Sequence, residues 1–197
     1  MTKLEDEAIV FLDEQRICIS EIKNNVKEIT NVVKILTNAR NKNRRIFTIG
    51  NGGSGSTASH LAADLLKTAL IKNNKRFKVI SLVDNIPVIL AWSNDLDYES
   101  IFVEQLKNHL SKDDIVIAFS GSGTSPNILR ALEYTKKIGA KCIGFKSDKK
   151  TKMDKLCDVC INIPSRDMLT LESQHLMICH CIISIIRKQG IPLFKYE

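Results

Sequence analysis

Residues 50–65 read GNGGSGSTASHLAADL, from Gly50 to Leu65, and their interpretation decides the fold. They follow the apolar run Ile46-Phe47-Thr48-Ile49, whose length and β-branched content predict a buried strand. Glycines then let the backbone turn tightly, and the small residues beyond them carry a helical pattern. A strand, a glycine-rich turn and a helix N-terminus together form an anion-binding device. Unpaired N–H groups and the positive end of the helix dipole both face the ligand. His60 and Asp64 stand at i and i+4 and so share one face of that helix. A phosphate-type turn therefore leads directly into an acid–base or metal-binding pair.

Outward from this stretch the chain alternates between two periodicities. Apolar runs at 46–49, 77–82, 115–119, 141–145 and 159–163 predict five strands. Helical patterns fill 56–71, 85–93, 98–110, 126–138, a short 149–156, and 170–189, which closes before Gly190 and Pro192. Such alternation predicts an α/β protein: a three-layer αβα unit with a five-stranded parallel sheet of the flavodoxin-like kind. Ligands of such sheets bind beyond the strand C-termini at the switch point. Ahead of it, residues 3–39 form a continuous helical pattern without Pro or Gly. Its apolar positions include Ile9, Leu12, Ile17, Ile22, Val26, Ile29, Val32 and Val33. One sheet cannot cover a stripe that long, so packing against helices of another subunit is expected. The chain reads as a single domain over 1–197, with 1–40 a helical oligomerisation segment and 41–197 the α/β core.

Composition narrows the partners. A chain of 197 residues with 44% hydrophobic content can bury a full core, which excludes a disordered chain. Its net charge of +7 is gathered at 40–45, 72–78 and 146–155. Phe77 is the one aromatic within these clusters, so they read as solvated surface, and no nucleic acid partner is expected. The acidic N-terminus has no signal-peptide core, and no apolar run reads as long enough to span a bilayer. A cytoplasmic protein with no membrane partner and reduced thiols is expected. Cys157-Asp158-Val159-Cys160 is formally CxxC, but no second pair accompanies it and Cys160 falls in a predicted strand. It reads as ordinary buried thiols.

A second turn repeats the design of the first. Ser120-Gly121-Ser122-Gly123-Thr124-Ser125-Pro126-Asn127 follows the third predicted strand, with Pro126 suited to the first helical position. Its hydroxyls and backbone N–H groups suit a phosphate without a fixed positive side chain. The absence of GxxxxGK[ST] excludes a usual P-loop, and the spacing of the first turn does not fit a dinucleotide fingerprint. Two such turns in one sheet suit one small phosphorylated ligand. The final helix adds Glu172, His175 and His180. Glu172 and His175, at i and i+3, can share a ligand, and geometry alone slightly favours His175 over His180.

The GNGGS–x5–H–x3–D stretch, the SGSGTS turn and the final E-x2-H-x4-H helix resemble the sugar isomerase (SIS) domain. Within it they are most similar to the phosphoheptose isomerases, which act on sedoheptulose 7-phosphate in bacterial surface-heptose synthesis. The resemblance implies that Asn51, Gly52, Gly53 and Ser54 hold the substrate at the first turn. It also implies that Ser120, Ser122 and Ser125 bind phosphate and that Asp95 contacts sugar hydroxyls. His60, Asp64, Glu172 and His180 match the positions that bind zinc, with Asp64 and His180 as the acid–base pair and Glu172 also near substrate. A homotetramer with active sites at subunit interfaces is implied too. The chain departs from the family pattern at Asp64, where Glu is expected, and at Glu172, where Gln is usual. The loop 145–150 also lacks an expected glycine-rich segment. A second implied reading is a non-catalytic phosphosugar-binding module that regulates a partner such as the bacterial replication initiator.

Overall fold

The structure is a computed structural model that describes residues 2–195. Among these, five strands form one parallel sheet in the order β2-β1-β3-β4-β5. They are β1 (Arg45–Gly50), β2 (Lys78–Ser81), β3 (Ile115–Phe119), β4 (Lys141–Ser147) and β5 (Val159–Ile163). Parallel neighbours require long crossovers, and helices supply them. The chain runs from β1 to β2 on one side and later resumes at β3 on the other. The switch point therefore lies between the C-terminal ends of β1 and β3. Register places Gly50 beside Phe119, so the two glycine-rich turns leave the sheet edge together.

Two apolar layers flank the sheet. One holds α1 (Lys3–Ile22), α2 (Val26–Asn41), α3 (Gly52–Ala63) and α8 (Met168–Arg187), with Leu36, Leu61, Ile178 and Ile182 fully buried in it. The other lies under α5 (Val103–His109), α6 (Pro126–Ile138) and the short α7 (Met153–Leu156), around Phe47, Leu106, Val116 and Leu132. Alternation along β1 explains the division: Phe47 and Ile49 face one layer while Ile46 faces the other. Helix α6 ends at Gly139, whose φ of 79° supplies the left-handed cap.

Two helices remain largely uncovered. Of α1, only Cys18 and Ile22 are buried, and Leu4, Val10, Leu12 and Ile17 are exposed. Helix α4 (Ile86–Asp95) buries no residue, although its sequence begins IPVILAW.

Three sequence expectations change. The basic clusters are not all solvated: Lys146 is 1% and Arg40 5% exposed, each with its stem in the core. Lys146 tolerates burial because its ammonium donates to the carbonyls of Ser147 and Lys149 and pairs with Asp154 at 3.0 Å. Helix α8, at 20 residues with a mean hydropathy of 1.4 over its best window, does have the length and apolarity of a membrane span. Half of that window is buried against the sheet and neighbouring helices, which accounts for the composition of a core helix. The helix predicted over 56–71 also changes character, becoming a π-helical turn over Asp64–Thr68.

Candidate active site

The first turn is shaped by close backbone packing. A Cβ on Gly50 would lie 2.4 Å from the carbonyl oxygen of Ser54, so the first turn of α3 sits directly over the end of β1. Gly52 takes a φ of 52°, which favours glycine. Ser54 is buried in that turn. Asn51 stands at the N-cap position of α3, and its side chain is engaged elsewhere rather than in a capping bond. Its amide and that of Asn127 bond reciprocally, at 3.0 and 2.8 Å, and its oxygen also accepts from the Tyr98 hydroxyl at 3.1 Å. Asn127 is 1% exposed and sits at the start of α6. The pair thus ties the first turn to the second. Sequence reasoning missed Asn127 and Tyr98, since nothing in their local spacing announces contacts with Asn51 across 76 and 47 residues.

The second turn carries hydroxyls. Ser120 and Ser125 approach each other at 3.3 Å, and Ser122 accepts from the amide and hydroxyl of Thr124. Gly123 has a φ of 65° and packs on Thr151 and the Lys146 stem. Backbone bonds from Ser120 to Phe145 and from Ser147 to Gly121 strap the turn to β4. Ser125 precedes Pro126, which has no N–H, and the Ile128 N–H is taken by Asn127 Oδ1 at 2.9 Å, so the serine hydroxyls are the main donors of this turn.

Behind the first turn, on the face of α3 towards α8, three side chains converge. His60 Nε2 lies 2.9 Å from His180 Nε2, so one ring donates there and the other accepts. Asp64 Oδ2 is 3.5 Å from the first nitrogen and 3.7 Å from the second. Among the described residues this is the one group of three or more such side chains gathered within 4.8 Å. Asp64 opens the π-helical turn, where the amide of Ala69 reaches its carbonyl at 2.8 Å. Such turns recur at functional sites because they reset the side-chain phase. The imidazoles are about half exposed while Asp64 is mostly covered. Two imidazoles and a carboxylate facing an open side suit a divalent cation of borderline softness, with positions left for a ligand.

The fourth expected ligand stands apart. Glu172 and His180 are separated by about 12 Å along α8, and the Glu172 carboxylate lies against Gly53 instead, where a Cβ would meet its oxygen at 2.2 Å. His175 is corrected as well. It is fully buried, tilted between Phe119 and Phe145, and neither ring nitrogen has a hydrogen-bond partner. Burial lowers its pKa to about 4, with the Lys146 backbone acting in the opposite direction. The signal was legible: Leu171, His175, Ile178 and Ile182 form one i, i+4, i+7, i+11 stripe, which His180 leaves. Asp95 is exposed at the end of α4, where it accepts from Asn94 at 2.8 Å.

Two cavities result. A groove of about 370 Å³ runs past Gly50, Asn51, Gly52, Ser56, Ser59, Asp84 and Tyr98. A second cavity of about 430 Å³ is lined by Asp64, Thr68, His180, Ile183, Ser184 and Arg187. They share no lining residue, so within one chain the first turn and the Asp64–His180 pair face different spaces.

Paired glycine-rich turns at the switch point of a parallel sheet, with a His–Asp–His cluster behind one of them, define an α/β domain with a candidate ligand site at its strand C-termini. The SIS domain family model matches residues 10–147, and the chain belongs to that family. It is similar to a phosphoheptose isomerase of Nitratiruptor sp., 35% identical over 143 residues covering 73% of this chain and 76% of the relative. A phosphoheptose isomerase of Thermodesulfovibrio yellowstonii is 34% identical over 146 residues, 74% of this chain and 72% of the relative. In fold it matches a phosphoheptose isomerase from Francisella tularensis with a TM-score of 0.88 at 24% identity, covering 95% of this chain and 100% of the other. The enzyme of the same name from Neisseria gonorrhoeae also gives 0.88, at 19% identity, over 94% and 100%.

Proposed function

We propose that this chain is an aldose–ketose isomerase of the phosphoheptose isomerase type, converting sedoheptulose 7-phosphate to D-glycero-D-manno-heptose 7-phosphate for surface-heptose synthesis. The observation that carries the reading is the convergence of His60, Asp64 and His180 from two helices within 4.8 Å. A pure binder has no use for such a set, whereas moving a proton between adjacent carbons needs a base, an acid and a stabiliser of negative charge.

Asp64 is assigned as the base that removes the C1 proton and returns it to C2, through an enediol. His180 exchanges protons with the sugar oxygens, and His60 stands beside it at 2.9 Å. Ser120, Ser122 and Ser125 hold the phosphate. Gly52, Gly53 and Ser54 shape the reacting end. Asn51 chiefly holds the two turns together, leaving its amide one free hydrogen for the sugar. Glu172, over Gly53, belongs on the substrate side of the helix pair. His60, Asp64 and His180 would hold a zinc ion, whose chemistry is to polarise the substrate carbonyl.

The separation of the two cavities and the bare faces of α1 and α4 support a homotetramer whose sites are completed between subunits. Asp95, exposed on α4, would reach a sugar across such an interface. Light scattering gives the oligomeric state. Incubating the purified protein with sedoheptulose 7-phosphate, with and without a chelator, tests the activity. Aldose formation supports the reading, and its loss on chelation supports the metal. Tight binding without turnover replaces the reading with a regulatory binding module.

A further inference from the structure

The CxxC segment is a different object in three dimensions from the one its sequence suggests. Cys157 ends α7, and Cys160 lies on β5, an edge strand of the sheet, paired with Gly144 of β4. Gly144 has no side chain, and sulfur fills the space. A Cβ there would meet the Cys157 sulfur at 2.9 Å and the Cys160 sulfur at 3.3 Å, with Met153 also in contact. Both sulfurs lie over one point, which bounds their separation at about 6 Å. Both residues are partly exposed free thiols, whereas Cys18, Cys142 and Cys179 are buried.

We propose that Cys157 and Cys160 form a vicinal dithiol, a modification site that a small disulfide of the glutathione class closes into an intramolecular bridge. The two are chemically unequal. Interaction with Cys157 as donor lowers the Cys160 thiol, while the same interaction and burial raise Cys157. Cys142 on β4 is fully buried, out of reach of a disulfide in solution. Cys160 therefore attacks first. Its thiolate displaces one glutathione thiolate from the disulfide and leaves a mixed disulfide on Cys160. Cys157 then gives up its proton to solvent and attacks the Cys160 sulfur. The mixed S–S bond breaks and the second glutathione thiolate departs. Two cysteine thiols lose two electrons, one glutathione disulfide gains them, and the two released protons end on the two glutathiones.

Trypsin isolates the pair, since residues 156–166 lie between Lys155 and Arg166 and contain no other cysteine. The native full-length protein is treated with oxidised glutathione, its remaining thiols are alkylated after denaturation, and the peptides are weighed. The 156–166 peptide is expected two hydrogens lighter and unalkylated, with the Cys142 peptide alkylated. The C157S variant is expected to stop at a glutathione adduct on Cys160, a result that needs no bridge. A doubly alkylated 156–166 peptide, a crosslink to Cys142, or a C157S protein without the adduct overturns the proposal.

Discussion

The turn after β1 and the turn after β3 leave the same edge of the sheet side by side, and both are glycine-rich entries into a helix. Their surroundings differ. The first is backed by titratable groups: Glu172 lies on Gly53, and His60 and Asp64 meet His180 two turns further along. The second is backed by backbone and packing: β4 straps it, Lys146 and Thr151 press on Gly123, and its own side chains are hydroxyls. Charged and exchangeable groups suit chemistry at one end of a ligand, and neutral donors with a helix N-terminus suit holding an anion at the other. The reciprocal amides of Asn51 and Asn127 keep the two ends at one spacing.

This contrast can be broken at either end. Replacing Asp64 with Asn should cut kcat by about a thousand-fold with unchanged circular dichroism. Near-normal turnover in that variant removes Asp64 from the chemistry.

The largest stability effect belongs to the region under the second turn. His175 has a folded pKa of about 4 against roughly 6.5 in the unfolded chain. Between those values the unfolded state binds the extra proton, so stability is full above the upper value and falls as pH drops towards the lower. The expected loss is about 3 kcal/mol, read from urea midpoints across that window. His175→Phe should flatten the slope.

Ser122→Ala should raise KM for a phosphosugar by about ten- to a hundred-fold, the loss of a hydrogen bond to a charged group. Its kcat should change far less, and equal losses in both parameters would erase the division between the turns. Asn127→Ala should cost about 1–3 kcal/mol of stability, because buried partners are orphaned. It should worsen kcat and KM together, since it loosens the spacing between the two ends. A change in KM alone would assign Asn127 to the phosphate end.

Gly53→Ala sharpens the same comparison most gently. The atoms nearest its new methyl belong to the end of a flexible side chain, the Glu172 carboxylate. The variant should fold normally in a thermal scan, yet lose activity as that carboxylate is displaced.

Local physics carried much of this protein into view from its sequence. The five strand runs, the two turns and the helices between them follow from side-chain period and glycine placement, which depend on near neighbours alone. The pairing of His60 with Asp64 followed from helix phase in the same way. Contacts between elements followed from no such rule. Helix phase places His175 on the buried stripe, but only packing against Phe119 and Phe145 removes it from the site and leaves His180 to meet His60. Only docking of α8 on α3 sets Glu172 over Gly53. Lys146 reads as surface until Asp154 and two carbonyls give its charge a buried partner set. Cys157 and Cys160 look like scattered thiols until Gly144, on the neighbouring strand, makes room for both sulfurs. In each case the deciding atom lies on another element, brought near by the sheet order and not by the local sequence.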